Sequence, residues 1–260
     1  MSGNVLNLFR IGGKTALITG ANGGIGGAMA EALAETGANI VIIQIPGDPS
    51  TSTKESLAKL PIKVSVYDCD LVDEAAIKQT VADIIDRDGH AIDILINCAG
   101  VSGHKSILEV DDAFRHKIFN INMNATYVMT QEVGRRMIAR GKGGKILNVS
   151  SLAGMIAGQN ISVYAGTKGA VNQFTSAFAN EWAQYGITVN CLCPGYALTP
   201  MTRGYFENEP GFKEYITSRT PMGRWAVPED FKGITLFFCS PASDYITGIR
   251  MPVDGGVHGK

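Results

Sequence analysis

Tyr164 and Lys168 stand four residues apart at the end of the stretch NVSSLAGMIAGQNISVYAGTK, which begins at Asn148. On a helix that spacing puts both side chains on one face, so the ammonium can lie at the edge of the phenol. A neighbouring cation favours the phenolate, which suits a phenol to proton transfer near neutral pH. Two serines, Ser150 and Ser151, precede the loop that leads into this helix. A hydroxyl from either would hold a substrate carbonyl or alcohol oxygen against the phenol. Tyr-x-x-x-Lys also arises by chance on amphipathic helices, so the surrounding elements must show whether these groups are brought to a ligand.

Those elements read as an alternation. Apolar strand-like runs occupy 14–19, 39–45, 63–67, 92–96, 145–149, 187–193 and 248–253. Helical spacing links Ile25, Met29 and Leu33, then Ile77, Val81, Ile84 and Ile85, then Val171, Phe174, Phe178 and Trp182. Further helical regions are expected at about 51–60, 73–88, 109–140 and 210–218, and from Pro228, a residue suited to a first helical position, to about 239. No hairpin signal joins the strands. The pattern therefore predicts an α/β fold, a single doubly wound (Rossmann-type) seven-stranded parallel sheet with helices on both faces. One domain over 1–260 is expected, with 196–226, rich in Tyr, Phe, Pro, Met and Gly, as a substrate-covering segment.

In such a sheet, ligands sit at the carboxyl ends of the strands. Those ends carry Gly20–Gly26, Gln44, Asp70, Asn97–Gly100, Ser150-Ser151 and Pro194-Gly195. Gly20, Gly24 and Gly26 lie between the first strand and the first helix, where missing side chains let a pyrophosphate approach the helix N-terminus. Their spacing is Gly-x-x-x-Gly-x-Gly rather than the standard Gly-x-Gly-x-x-Gly. The acid that would bind the ribose hydroxyls of NAD is replaced by Gln44, and Asp48 lies beyond the turn Pro46-Gly47. No Arg or Lys occupies the glycine loop or the positions just after Gln44, so NAD is weakly preferred over NADP.

Composition narrows the function classes. Charged residues make up 18% and hydrophobic ones 45% of the 260 residues, which predicts a large core. A net charge of −1 without a like-charge block argues against nucleic acid or an anionic membrane as partner. No leader-like or membrane-spanning apolar run is apparent, and the expectation is a soluble, cytoplasmic protein. The five cysteines sit in apolar or strand-like contexts, and Cys191-x-Cys193 is not metal-ligand spacing; buried thiols and no metal are expected.

Taken together, the motifs resemble the short-chain dehydrogenase/reductase family from Lys14 to Gly256. The matching stretches are Thr19–Gly26, Asp70-Leu71, Asn97-Cys98-Ala99-Gly100, Asn122, Ser151, Tyr164 with Lys168, and Pro194-Gly195 with Thr199. Cys98 stands where the family usually carries a second Asn. The resemblance implies a catalytic tetrad of Asn122, Ser151, Tyr164 and Lys168, with Ser151 favoured over Ser150 by its distance from Tyr164. Tyr164 would exchange the proton, Ser151 would polarise the oxygen, Lys168 would bond the nicotinamide ribose, and Asn122 would hold a relay water. It implies that Gly20, Asn22, Gly24, Ile25 and Gly26 hold the pyrophosphate, with Gln44 at the ribose and Asp70 and Leu71 at the adenine. Asn97, Ala99 and Gly100 would lie along the cofactor. Pro194, Gly195 and Thr199 would face its nicotinamide end, beside Tyr164 and Lys168.

Four further stretches, including Asn180-Glu181-Trp182-Ala183 and Pro221-Met222-Gly223-Arg224-Trp225, resemble the branch of 2-deoxy-D-gluconate 3-dehydrogenases and related sugar-acid and polyol dehydrogenases. Chain position suggests His104, Met155, Tyr196, Met201 and Arg224 for the pocket, with Arg224 or Lys105 meeting a substrate carboxylate. Two other readings remain open: a carbonyl reductase for bulkier apolar or acyl-thioester ketones, and a non-catalytic NAD-sensing or scaffold protein. The family resemblance favours a homotetramer.

Overall fold

The computed structural model describes residues 4–260; of the domain expected over 1–260, residues 1–3 lie outside the described residues. The strands are β1 (Thr15–Thr19), β2 (Asn39–Gln44), β3 (Val64–Asp68), β4 (Ile94–Asn97), β5 (Gly144–Val149), β6 (Ile187–Pro194) and β7 (Arg250–Val253). They form one parallel sheet in the order β3-β2-β1-β4-β5-β6-β7. The helices between them are α1 (Gly24–Glu35), α2 (Ser52–Leu57), α3 (Glu74–Ala82), α4 (Asp112–Phe119), α5 (Ala125–Arg140), α6 (Ser162–Trp182), α7 (Pro200–Asn208), α8 (Phe212–Arg219) and α9 (Lys232–Phe238).

The period-two alternation of strand side chains builds two cores. Ala16, Ile18, Ile40, Ile42, Ile94 and Ile96 share one face with Met29 and Leu33 of α1 and Phe238 of α9. Leu17, Val41, Ile43, Leu95 and Ile146 share the other with Ile77 of α3, Val133 of α5, and Phe178 and Trp182 of α6. Burial on both faces is why these strands read as continuous apolar runs. Successive strands run to one edge at β3, and the chain then returns to pair β4 with β1. That reversal opens a crevice at the carboxyl ends of β1 and β4.

Three helical regions differ from expectation. The region at 109–140 is α4 and α5 joined by a π-helical turn, Asn120–Asn124, which carries Asn122. The helix expected over 73–88 is α3 followed by a second π-helical turn, Asp83–Arg87. A π turn adds one residue per hydrogen-bonded ring and leaves the apolar spacing nearly intact, so periodicity does not reveal it. The segment 196–226 holds two helices instead of one, because Pro200 opens α7 where a Pro also reads as a breaker. This segment leaves and rejoins the body at a narrow neck. Ala197 bridges Ala226, the Leu198 N–H donates to Ala226 O (2.9 Å), and the Ala226 N–H donates to Tyr196 O (2.9 Å). Outside the neck, Tyr196, Phe206 and Phe212 pack edge-on around Trp225, with centroids 5.1–5.9 Å away.

Candidate active site

The crevice begins where β1 stops. The Thr19 hydroxyl accepts the N–H groups of Cys98 and Ala99, both at 3.2 Å, and so fastens the ends of β1 and β4 together. Gly20 follows at φ +71°, and a Cβ there would stand 2.7 Å from the Cα of Ala99. A Cβ on Gly26 would stand 2.1 Å from the carbonyl oxygen of Gly20. Both positions therefore exclude a side chain on steric grounds, and α1 presents its N-terminus to the cleft beside them.

The cleft encloses about 530 Å³. Its wall takes Gln44 from the last position of β2 and Asp48 beyond it, and Gly20, Asn22, Gly24, Ile25 and Gly26 after β1. Asp70 and Leu71 follow β3, Ala99 and Gly100 follow β4, and Ser151 follows β5. Tyr164 and Lys168 of α6 join Pro194, the last residue of β6, and Gly195 and Thr199 beyond it. The volume lies within the ~300–1,000 Å³ typical of ligand sites.

At the β2 end, no Arg or Lys lies in the glycine loop or just after Gln44, but the fold brings a cation there from α2. Lys54 of α2 brings its Nζ within 3.2 Å of Gln44 Oε1 and donates to it. The ground for preferring NAD over NADP therefore falls, since a cation is in place beside Gln44. Asp48 also reaches back across its Pro-Gly turn. Its carboxylate accepts the Asn22 amide at 2.7 Å and lines the cleft. Hydrogen bonds from Asn22 and Ser50, aided by Lys54, hold that carboxyl below its usual range. Asn22 also donates to Gln44 Oε1 at 3.4 Å, and Gln44 donates to Asp68 at 2.8 Å.

At the β5 end, Lys168 is 4% exposed and donates from Nζ to Val149 O at 2.9 Å. Its Nζ lies 5.7 Å from the centre of the Tyr164 ring, as the four-residue spacing requires. The two serines divide their roles. Ser150 donates to the Lys168 carbonyl (2.9 Å) and ties β5 to α6, while the Ser151 hydroxyl stands in the cleft and accepts the Ala153 N–H at 3.1 Å. Asn122 is 1% exposed and clamps the Val101 backbone, with Oδ1 accepting its N–H and Nδ2 donating to its carbonyl, each at 2.8 Å. A Cβ on Gly100 would stand 3.3 Å from Asn122 Oδ1 and 3.5 Å from Lys168 Nζ, so both groups crowd one point of the backbone.

The structure does not bring Asn97 into the cleft. Its buried amide donates to Thr130 (2.9 Å) and Asn148 (2.8 Å), joining α5 to β5 behind the site. Strand alternation turns that side chain inward while the next residues line the cleft. A second cavity of about 260 Å³ shares Ser151 and Tyr164 with the first. His104, Tyr196 and Met201 line it as expected, but Met155 packs on Val171, Cys191 and Cys193 instead. Arg224 forms a two-pronged ion pair with Asp230 (2.7 and 2.8 Å) and Lys105 is ion-paired with Asp111, so neither stands in this cavity. Arg219 and Tyr215 of α8 line it instead, with no local motif in the sequence to announce them.

Cys69, Cys191, Cys193 and Cys239 are buried, while Cys98 is partly exposed and lines the cleft. Burial pushes the Cys98 thiol up to about 11 and Cys239 up to about 12. Among the described residues, no three His, Cys, Asp or Glu side chains gather as metal ligands. Among them too, no helix is long and apolar enough to cross a membrane.

Residues 20–258 match the family model described as enoyl-(acyl carrier protein) reductase. The chain is 35% identical over 254 residues to a 2-dehydro-3-deoxy-D-gluconate 5-dehydrogenase of Dickeya dadantii, covering 97% of this chain and 98% of that one. It is 36% identical over 251 residues to a gluconate 5-dehydrogenase of Gluconobacter oxydans, covering 96% and 97%. The crystal structure of a gluconate 5-dehydrogenase from Burkholderia cenocepacia, in complex with NADP and tartrate, superposes with a TM-score of 0.93 at 34% identity, covering 99% and 100% of the two chains.

Proposed function

Because the chain belongs to the short-chain dehydrogenase/reductase family, we propose that it transfers hydride between a nicotinamide dinucleotide and a secondary alcohol or ketone of a sugar acid or polyol. One observation carries the reading: Ser151 and Tyr164 line both cavities, the larger built around the glycine turn and the smaller closed by 196–226. The residues fit a dinucleotide, since the turn excludes side chains at Gly20 and Gly26, and Gln44 and Asp48 line the far end of the cleft with Lys54 bonded to Gln44.

When bound, the nicotinamide supplies the hydride acceptor or donor. Ser151 orients the substrate oxygen, and Tyr164 takes the alcohol proton during oxidation or returns it during reduction. Lys168, anchored on Val149 O, holds its charge beside the phenol and reaches toward the nicotinamide ribose. Asn122, fixed on Val101, supports a water that passes the proton toward solvent. NADP is accepted as well as NAD, with Lys54 favouring the 2′-phosphate and Asp48 the free hydroxyls.

The relatives named for gluconate and its dehydro-deoxy derivative support a small polyhydroxylated acid as substrate. So does the smaller cavity, which falls just below the ~300 Å³ at which ligand pockets usually begin. Its aromatic wall of Tyr196, Phe212 and Trp225 is the feature that would suit a bulkier apolar ketone. A cytoplasmic homotetramer is proposed as the working form, with Tyr127 and Phe174 on α5 and α6 as a packing face backed by the buried Phe178. Light scattering measures that state.

Initial rates on sugar acids, polyols and bulky ketones, each with NAD and NADP, test the function. Turnover confined to bulky ketones would replace the substrate class, and cofactor binding without any turnover would support the sensing role.

A further inference from the structure

Four residues of α8, Phe212, Tyr215, Ile216 and Arg219, form part of the wall of the smaller cavity that Ser151 and Tyr164 also line. Among the described residues of that wall, Arg219 is the one Lys or Arg, and no Asp or Glu accompanies it. Most arginines here are already committed: Arg87, Arg115, Arg136, Arg140, Arg203 and Arg224 each bond a carboxylate within 3.3 Å. Arg219 has no ion-pair partner among the described residues. Its guanidinium instead lies over the Tyr215 ring, 5.5 Å from the centroid. A stacked guanidinium is held in place by the ring yet keeps its N–H fork for a ligand. Its charge is felt across the cavity: burial pushes the Tyr196 phenol up, and Arg219 pulls it part of the way back.

From this geometry we propose that Arg219 receives the carboxylate of the substrate and makes α8 the element that selects acids over neutral polyols. The inference rests on the sugar-acid reading above. A planar fork bonds a carboxylate through two parallel hydrogen bonds, fixing the acid end of the chain while Ser151 and Tyr164 hold the reacting oxygen. The carboxylates of Asp230 and Asp111 neutralise Arg224 and Lys105, leaving those side chains unsuited to the task.

The test compares the wild-type chain with Arg219→Gln and Arg219→Lys on D-gluconate and a neutral polyol of the same carbon number, at saturating cofactor. Losing a charged hydrogen-bond pair predicts a KM for gluconate raised roughly 10–100-fold in Arg219→Gln, with kcat changed much less. The polyol should be affected far less, and Arg219→Lys should recover part of the gluconate affinity. Unfolding midpoints of all three proteins identify any general damage to α8. Equal losses on acid and polyol, or an unchanged KM for gluconate, would overturn the assignment while leaving the sugar-acid activity standing. A wild-type enzyme that accepts neither acid nor polyol but does reduce apolar ketones would overturn both.

Discussion

Removing one oxygen from Tyr164 leaves the ring in the cleft and takes away the group proposed to exchange the proton. Tyr164→Phe is expected to lower kcat by at least ~10²–10⁴-fold with cofactor binding retained, measured by steady-state rates and cofactor titration. At the other end of the cleft, Lys54→Ala removes the cation beside Gln44. The expected result is a roughly tenfold lower kcat/KM for NADP with little change for NAD, as for the loss of a charge-assisted hydrogen bond; rates with the two cofactors check it. Tyr164 with Lys168 was legible because helix geometry converts a four-residue spacing directly into proximity. Lys54 and Asp48 were not, since Lys54 reaches Gln44 and Asp48 reaches Asn22 across the turn at Pro46-Gly47 and no local spacing encodes that return. Arg219 was hidden for a related reason: what makes it notable is the lack of an acid around it, which only tertiary structure displays.

Elements that bury two faces wrote themselves most clearly into the sequence. The five inner strands β1, β2, β4, β5 and β6 appear as apolar runs because α1 and α9 cover one side while α3, α5 and α6 cover the other, whereas the edge strands β3 and β7 are only partly buried. The glycine turn was equally legible, because its steric demand allows almost no substitution. Gly26→Ala would push a methyl to 2.1 Å from the Gly20 carbonyl and force the start of α1 away from β1. The expected cost is about 1–3 kcal/mol of stability together with a raised KM for cofactor, read from urea unfolding and kinetics. The π turn at Asn120–Asn124 was not legible, since its cause is distant: the Asn122 amide bonds the Val101 backbone in another segment. Similarly, strand alternation turns Asn97 inward, but the partners that hold its amide there, Asn148 and Thr130, meet it only after the sheet has assembled.

Across the whole molecule, paired charges and buried thiols set a window of pH stability. Hydrogen bonds from Arg87 and Tyr67 hold the Asp88 carboxyl down at about 2, while Arg136, Lys105 and Arg224 depress Asp86, Asp111 and Asp230. Each folded value lies below the ~3.9 of a free Asp, so this stabilisation is present above about pH 4 and is lost as pH falls toward 2. The thiols act in the opposite sense. Cys98 and Cys239 are raised to about 11 and 12, so their contribution is full below the ~8.5 of a free thiol and is lost as pH rises through the folded values. Melting temperature measured from pH 3 to 11 should form a plateau between these limits and decline on both sides. The neck at Ala197 and Ala226 bears on the sequence of events in turnover. Just beyond it, Thr199 lies where a Cβ on Gly24 would stand 3.3 Å from its own Cβ, so the root of the segment rests on the glycine turn and its tip covers the smaller cavity. Movement of the tip alone would free a substrate held in the smaller cavity, whereas a dinucleotide in the larger cleft would lie beneath the root. The enzyme should therefore obey a compulsory order, cofactor on first and off last, with oxidised and reduced cofactor competing for one enzyme form in product-inhibition plots.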